Sequence, residues 1–397
     1  MRSSADVIVV GGGILGCSVA AELAEMGADV VLVERAEIAH GASGRNHGLI
    51  FYPLNPITDA LYRTSLEMYR QVASSPDLDI ELDEKPVGFL ILVAREDEWP
   101  VALAEASACQ VGGKEVRRVD RGELHVLEPN LSDTFDGAYL VEDGYRVDPQ
   151  ALTLAFSLLA QADGADVETH TEAKRVIVRG DRVEGVATDR GLIHSRIVVL
   201  ATGPWAPKLA RTAGVDLDIS GARGWLVLTR PAPPLCRHVL VSAGWHLVTG
   251  VEGPAEITLG AYARGDAPVP SDVGLLIQQN ASGHVLLGGS RSVSVRQDPE
   301  GPEVTREIAR RAVAALPALG PIPITEVRSG VRPMSPDGSP FIGWVPGVEG
   351  LFVVGGHGGQ GIMLGGGSAR LAAQMIRGRT PFTDPSLFAL DRLSPGR

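Results

Sequence analysis

Cysteine is scarce in this sequence, and an uninterrupted hydrophobic run is missing. Only Cys17, Cys109 and Cys236 occur in 397 residues, and their wide spacing predicts neither a disulfide framework nor a cysteine metal site. A reducing cytoplasm is therefore the expected location. The apolar stretch from Val7 to Val33 contains three acidic residues and three consecutive glycines, so it predicts neither a signal sequence nor a membrane span.

An excess of basic residues is also missing. The chain has 36 Lys and Arg against 48 Asp and Glu, which gives a formal net charge of −12. Nucleic acids and anionic membranes bind clustered cations, so neither is a predicted partner. The absence of a G-x-S-x-G motif argues against a serine hydrolase. A hydrophobic share of 44% over this length instead favours a globular protein of two domains.

The N-terminal region has the pattern of a β-α-β unit. Val7–Val10 and Asp29–Val33 are predicted as buried strands, and Cys17–Met26 as the helix between them. The connecting turn, Gly11–Gly16, has the spacing G-x-G-x-x-G. Its glycines allow a tight turn and the close approach of a pyrophosphate, which the positive end of the helix attracts.

Glu34 closes the second strand about twenty residues after this motif begins. A carboxylate at that position accepts hydrogen bonds from ribose hydroxyl groups and repels a 2′-phosphate, so NAD or FAD is predicted rather than NADP. Two more glycine-rich segments favour FAD, because a nicotinamide enzyme needs neither. Gly41–Gly48 is small enough to lie along a flat ring or a ribityl chain. Gly355–Gly361 precedes a helix whose dipole is suited to stabilise negative charge on a flavin.

The remaining patterns divide into two kinds of sheet. Elements of a parallel sheet recur at Pro149–Gly164 (helix), Val167–Thr169, the hairpin around Arg179–Asp181, Ile197–Gly203, Leu351–Val354 and Ser368–Ile376 (helix). An antiparallel sheet is predicted from Phe89–Ala94, Trp225–Thr229, Glu256–Gly260 and Val285–Gly289. The predicted fold class is α/β, with a Rossmann-like FAD-binding domain and a second α+β substrate domain built on the antiparallel sheet. The first domain is assigned to residues 1–80, 145–215 and 327–397, and the second to residues 81–144 and 216–326.

Three longer segments carry a resemblance to a known family. They are Asp143–Pro149, Val199–Trp205 and Ser329–Gly343. Together with the glycine motifs, they make the sequence similar over nearly its whole length to the FAD-dependent amine and amino-acid oxidoreductases. That family includes D-amino-acid oxidase, glycine oxidase, sarcosine oxidase, bacterial D-amino-acid dehydrogenase, and the opine oxidase and hydrogen cyanide synthase subunits.

The resemblance implies a set of residues around FAD. The backbone of Val176 is expected to contact adenine. The cofactor is expected to be noncovalent, since Arg328–Pro336 lacks the cysteine that anchors the flavin in sarcosine oxidases. The predicted cofactor-binding residues are Gly11, Gly13, Ile14, Leu15, Gly16, Glu34, Arg35, Ala42, Ser43, Arg45, Asn46, His47, Gly48, Val176, Ala201, Thr202, Gly203, Gly330, Arg332, Gly356, His357, Gly358, Gly359, Gln360, Gly361 and Ile362.

The predicted catalytic residues are Arg332, His47 and His357. Arg332 resembles the arginine that binds the substrate carboxylate in this family, and a guanidinium is suited to bidentate carboxylate binding. The alternative is an ion pair with Asp337 or Glu326. His47 is a candidate near flavin N5, or a packing residue beside the ribityl chain, and His357 is either a candidate or a hydrogen-bonded loop residue.

The resemblance predicts oxidation of a small carboxylate-bearing amine, a D-, N-substituted or glycine-like amino acid, to an imine by hydride transfer to flavin N5. One alternative is a 2-hydroxyacid dehydrogenase, which needs His47 or His357 as a base. Another is a flavin subunit of an electron-transferring amine dehydrogenase complex. Oxygen, a quinone or a protein is the predicted electron acceptor, and oxygen is the least supported because His284–Gly288 lacks the lysine of oxygen-reactive relatives.

The predicted substrate contacts in the second domain are few. Glycine oxidase has an active-site tyrosine in the strand matched here by Leu275–Gln279, which has none. Gln278, Trp225 and Tyr262 remain as polar or aromatic candidates, and packing is the alternative for each.

Overall fold

The computed structural model describes residues 2–52, 55–244, 273–291 and 301–393. The predicted strand Glu256–Gly260 and Tyr262 lie outside these ranges. The strands are β1 (Val7–Val10), β2 (Val30–Val33), β3 (Leu49–Ile50), β4 (Phe89–Val93), β5 (Val116–Asp120), β6 (Gly137–Val141), β7 (Tyr145–Arg146), β8 (Asp166–Glu168), β9 (Ala173–Arg179), β10 (Arg182–Thr188), β11 (Gly191–His194), β12 (Ile197–Leu200), β13 (Ser220–Thr229), β14 (Val239–Ser242), β15 (Val273–Gln279), β16 (Val285–Ser290), β17 (Ile324–Met334), β18 (Phe341–Trp344) and β19 (Leu351–Gly355). The helices are α1 (Ile14–Glu25), α2 (Asp59–Ala73), α3 (Trp99–Val111), α4 (Arg121–Leu127), α5 (Pro149–Ala162), α6 (Ala206–Ala210), α7 (Gly301–Ala315) and α8 (Gly361–Ile376).

Among the described residues, a six-stranded sheet has the order β18-β19-β12-β1-β2-β8. Strand β1 is parallel to both neighbours, with Val9 opposite Val199 of β12 and Leu32 of β2. Val9 faces a core that includes residues of α1, α2, α5 and α8. Ile8 and Val10 face the other core, which includes the three-stranded sheet β9–β11. Because both faces are covered, these strands are continuously apolar.

The second large sheet has the order β17-β13-β16-β15-β14-β4-β6-β5. Its strand pairs are antiparallel except β14 and β4, which run parallel with Val239 opposite Phe89. Val304 and Ile308 of α7 pack into the core beneath Ile277 of β15. The predicted fold class is confirmed, with one parallel pair inside the sheet that the sequence predicted as antiparallel.

Strand β17 is an edge strand of the second large sheet. It pairs with β13 along its length, and Arg332 near its end lies opposite Ala222. The predicted domain boundary between residues 326 and 327 falls inside this strand. The division of the chain into two domains stays a prediction. The course of β17 matters for function, because Gly330, Arg332 and Pro333 of this strand line the cleft described below.

Helix α8 extends further toward the N-terminus than the predicted helical range Ser368–Ile376. It begins at Gly361, the last residue of the glycine-rich segment that was predicted to precede a helix, and it includes Gly365, Gly366 and Gly367. Glycine is unfavourable inside a helix by roughly 1 kcal/mol relative to alanine. Close packing explains the exception, because a Cβ at Gly367 would lie 2.2 Å from the carbonyl oxygen of Leu61 in α2. Within the described ranges, no helix has the length and apolar character needed to cross a membrane.

Candidate active site

A cleft opens at the carboxyl ends of β1, β2 and β12. Val10, Val33 and Ala201 line it where these strands end, and Ile14 and Gly361 line it at the start of α1 and α8. Ligands of open α/β sheets bind at this edge, outside the carboxyl ends of the strands. Two helix N-termini, each with partial positive charge, therefore border the same space.

The turn between β1 and α1 has space for a ligand because of its glycines. Gly11 has a φ of 116°, and a Cβ there would lie 2.5 Å from the Ala201 carbonyl oxygen. Gly16 does not line the cleft, but a Cβ there would lie 1.8 Å from the Gly11 carbonyl oxygen, so it allows α1 to approach the turn. The Ile14 N–H donates to Ser43 Oγ at 2.9 Å. This geometry fits the pyrophosphate of a dinucleotide.

Glu34 is held at the edge of this turn. Its carboxylate accepts hydrogen bonds from the N–H groups of Gly12 at 2.7 Å and Ala36 at 2.9 Å, and it lines the cleft. Carboxylate oxygens have further lone pairs for ribose hydroxyl groups. Beside it, the Arg35 guanidinium lies 3.9 Å from the ring centroid of Trp205, a cation–π contact that forms one wall of the cleft.

The loop after β2 is fixed by Asn46. Its amide nitrogen donates to the carbonyl oxygens of Ala42 at 2.9 Å and Ser43 at 2.7 Å, and its amide oxygen accepts the Gly48 N–H at 2.7 Å. Gly48 has a φ of 66° and does not line the cleft. The small side chains of this loop leave the cleft open while Asn46 holds its backbone in place.

Arg332 lies in the cleft and not in either predicted ion pair. Asp337 pairs with Arg392 at 2.8 Å and Glu326 pairs with Arg328 at 2.7 Å. The Arg332 guanidinium donates from Nη1 to the Ser290 carbonyl oxygen at 3.0 Å. Within the described parts of the chain it has no carboxylate partner. Burial, together with the charge of Arg291, lowers the pKa of Arg332 to about 10. A cation in this position is suited to an anionic ligand.

His47 also faces the cleft. Its Nε2 lies beside Gly288, where a Cβ would be only 2.3 Å away. Its Nδ1 is buried and has no hydrogen-bond partner in the described ranges. Burial first, and the charge of Arg332 second, lower the pKa of His47 to about 3. The imidazole is therefore neutral near pH 7, and Gln278 holds its backbone by donating to the His47 carbonyl oxygen.

The imidazole of His357 is bonded to α8. The side chain is buried, and its Nε2 lies 2.9 Å from Ser368 Oγ in α8. Burial lowers its pKa to about 3. This contact favours the hydrogen-bonded loop residue over the predicted catalytic group, although His357 is among the residues that line the cleft. Across the described ranges, no group of three or more His, Cys, Asp or Glu residues could hold a metal ion.

The predicted backbone contact between Val176 and adenine stays a prediction, and Val176 is not among the residues that line the cleft. Val176 is buried in a core, and its N–H donates at 2.9 Å to the Oγ1 of Thr212, which lines the cleft. Residues 171–174, at the start of β9, line the cleft. Gly356 and Gln360 also do not line it. Gly356 has a φ of 75° in the turn before α8, and Gln360 caps that helix.

Several residues that line the cleft were not predicted from the sequence. The segment before β9 follows β8, and β8 lies parallel to β2, so its position at the carboxyl edge was the available signal. Two of the three predicted substrate-contact candidates are near the cleft. Trp225 lines it, and Gln278 donates a hydrogen bond to the His47 carbonyl oxygen. The missed residues that line the cleft include Thr171, Glu172, Ala173, Lys174, Trp205, Lys208, Thr212, Gly224, Leu276 and Gly289.

Several known proteins are similar to this chain in sequence and in architecture. The model of a family described as FAD dependent oxidoreductase matches residues 6–375. Glycine oxidase from Pseudomonas aeruginosa is 29% identical over 395 residues, which cover 97% of this chain and 98% of that protein. Hydrogen cyanide synthase subunit HcnC from the same species is 25% identical and covers 87% of this chain and 75% of that protein. The crystal structure of glycine oxidase from Bacillus cereus is 25% identical, with a TM-score of 0.80 and coverage of 97% of both chains.

Proposed function

Since this chain belongs to the FAD dependent oxidoreductase family, we propose that it oxidises a small carboxylate-bearing amine to an imine. The proposed substrates are D-amino acids, N-substituted amino acids and glycine-like amino acids. Similarity to glycine oxidases along nearly the whole chain supports this substrate class. Bound FAD would supply the hydride acceptor for this oxidation at flavin N5.

Arg332 carries this proposal. Its guanidinium faces the cleft without a carboxylate partner in the described ranges, and Nη1 donates to Ser290 only. A partly buried cation is most stable when it is paired, and an arginine fork binds a carboxylate by two parallel hydrogen bonds. The substrate carboxylate is the proposed partner. Binding there would orient the neighbouring carbon toward the flavin and displace water from the guanidinium.

The histidines favour an amine over a hydroxyl group. Oxidation of a 2-hydroxyacid needs a base to take the hydroxyl proton. The pKa values of His47 and His357 are lowered to about 3 by burial, so both are weak bases near pH 7. An amine that binds in its neutral form needs no such base. We therefore place the 2-hydroxyacid alternative second, and assign His47 a neutral hydrogen-bonding contact to the substrate.

Two segments of the chain would hold the cofactor. The N-terminus of α1 and Ser43 would bind the pyrophosphate, and Glu34 the ribose. The first turn of α8 would donate N–H groups to the flavin. The buried thiols of Cys17, Cys109 and Cys236 are absent from the lining of the cleft, which supports noncovalent binding.

The proposed electron acceptor is a quinone or a protein partner rather than oxygen. Strand β16 has Leu286, Leu287 and Gly288 where oxygen-reactive relatives have a lysine. Similarity to HcnC, a subunit of hydrogen cyanide synthase, also supports a protein partner. Substrate-reduced protein that reoxidises slowly in air and quickly with a quinone would support this acceptor. Rapid reoxidation in air would contradict it.

The test is anaerobic reduction of the purified flavoprotein. Bleaching of its visible absorbance is followed with D-, L- and N-methyl amino acids, glycine and 2-hydroxyacids. The matched variants are Arg332→Lys and Arg328→Lys, which lie on the same strand, with Arg328 in an external ion pair. We expect Arg332→Lys alone to raise the substrate concentration for half-bleaching by roughly 10- to 100-fold, the effect of losing a charge-assisted hydrogen bond. Bleaching only by 2-hydroxyacids, or equal effects of both variants, would contradict the proposal.

A further inference from the structure

Hydroxyl groups of α2 bond to the backbone of α8. Tyr69 Oη donates to the Ile362 carbonyl oxygen at 2.6 Å and accepts the Gly366 N–H at 3.0 Å. These two backbone groups are four residues apart, the separation at which helical groups ordinarily bond to each other. One residue later, the Gly367 N–H donates to Ser65 Oγ at 2.8 Å. Two side chains of one helix therefore hold the first two turns of another.

The glycines of α8 make this contact possible. A Cβ at Gly365 would lie 3.0 Å from Tyr69 Oη, and a Cβ at Gly366 would lie 3.1 Å from the α-carbon of Ser65. Tyr69 and Ser65 are both fully buried. Burial raises the pKa of the Tyr69 phenol, so it remains a hydrogen-bond donor. Glycine is unfavourable inside a helix. It is accommodated here because a larger residue would not fit against α2.

The turn held by these hydroxyls faces the cleft. Gly361, Ile362 and Met363 line it, and the N–H groups of a first helical turn have no partners inside the helix. Their direction depends on the tilt of that turn. Tyr69 fixes the tilt, because it is bonded to the carbonyl oxygen of Ile362 in the turn itself and to Gly366 in the next one.

We propose that Tyr69 and Ser65 are positioning residues that aim the first turn of α8 at the flavin and so raise the reduction potential of bound FAD. The inference rests on the proposed placement of the flavin at α8, and is independent of the substrate. In Tyr69→Phe, the Ile362 carbonyl oxygen and the Gly366 N–H lose the hydroxyl that bonds both of them to α2, so the first turn is held less firmly in its orientation. Its N–H groups then stabilise negative charge on the flavin less well, and reduction becomes less favourable.

The experiment measures the midpoint potential of bound FAD by reductive titration with a reference dye, without substrate. The variants are Tyr69→Phe and Ser65→Ala. The matched control is Tyr62→Phe, which removes a buried hydroxyl on the same helix that bonds to Asp143 rather than to α8. We expect Tyr69→Phe to make reduction about tenfold less favourable, which is about 30 mV for a two-electron couple. Ser65→Ala should shift it in the same direction, and Tyr62→Phe should leave it unchanged.

An unchanged potential in Tyr69→Phe with FAD retained would overturn the inference. An equal fall of the midpoint potential in Tyr62→Phe would also overturn it, because loss of any buried hydroxyl from this helix would then lower the potential. If Tyr69→Phe does not retain FAD, the test uses Ser65→Ala. An unchanged potential in that variant, or an equal fall in Tyr62→Phe, would then overturn the inference. Failure of every amine to bleach the native protein would contradict the proposed substrate, but would leave these potentials valid as a test of positioning.

Discussion

The guanidinium of Arg332 lies against the α-carbon of Gly224 on the neighbouring strand. A Cβ at position 224 would lie 2.4 Å from Nη1 and 2.8 Å from Nη2 of Arg332, well inside the roughly 3.5–4 Å of an ordinary nonbonded contact. The pairing of β13 with β17 fixes this relationship, since it places Gly224 opposite Gly330, two residues before Arg332. Gly224 therefore provides the space in which the guanidinium faces the cleft.

Replacement of Gly224 by alanine should displace this guanidinium. Because the proposed function of Arg332 is to bind the substrate carboxylate, we expect Gly224→Ala to raise KM by about tenfold or more, with FAD retained. Steady-state kinetics with the bleaching substrate measures this. Gly122→Ala in α4 is the control, since a Cβ there makes only an ordinary 3.4 Å contact with Asp120. Equal KM values in both variants would show that the position of Arg332 does not limit binding.

Gly288 has a similar relationship to His47, because a Cβ there would lie 2.3 Å from its Nε2. We expect Gly288→Ala to lower kcat/KM about tenfold by displacing the imidazole. In a His47→Ala background the same substitution should have little further effect, since the ring that clashes is gone. A double-mutant cycle measures the coupling, which reaches about 0.5–3 kcal/mol for residues in contact. Additive effects would mean that Gly288 acts independently of the imidazole.

The sequence predicted those features that depend on neighbouring residues in the chain. Val7–Val10 forms a strand with the predicted bounds, because an apolar run before a glycine turn is a local pattern. The helix after the glycine motif begins at Ile14 rather than Cys17, since its first turn contains the last three residues of the motif itself. The cleft at Gly11 and Glu34 follows from the same short stretch of chain.

Features that depend on distant residues were less accessible. The partners of Asp337 and Glu326 are Arg392 and Arg328, and composition alone does not distinguish these from Arg332. Val176 was placed at the adenine site by resemblance alone, and the residues that line the cleft near it, at the start of β9, were not predicted. Strand order and side-chain pairing are tertiary properties, and one sequence specifies them only through the complete packing of the chain.

Stability should fall on acidification because of His357. Burial lowers its pKa from 6.5 to about 3, so between these values the unfolded chain binds a proton that the native protein does not. The stability from the neutral imidazole is fully present above about pH 6.5 and is lost as pH falls toward 3. We expect His357 to contribute a slope of about 1.4 kcal/mol per pH unit in this window.

Urea unfolding of the FAD-loaded protein between about pH 7 and pH 5 measures that slope. His357→Gln retains a partner for Ser368 and cannot titrate, so its free energy of unfolding should depend less on pH. His194→Gln, at an exposed position, is the control and should retain the native slope. If His357→Gln keeps the full pH dependence, other groups must cause the acid sensitivity, and the buried imidazole is not its source.

Loss of the Glu34 charge should weaken FAD binding without changing the substrate site. The Glu34 carboxylate accepts the Gly12 N–H and lies at the proposed ribose position, and charge-assisted hydrogen bonds are about twice as strong as neutral ones. We expect Glu34→Gln to raise the Kd for FAD by roughly tenfold, measured by quenching of flavin fluorescence on titration of apoprotein. Glu37→Gln is the matched control, because that carboxylate pairs externally with His170. Equal Kd values would place the ribose elsewhere, whereas a selective loss with unchanged KM would separate cofactor binding by Glu34 from substrate binding by Arg332.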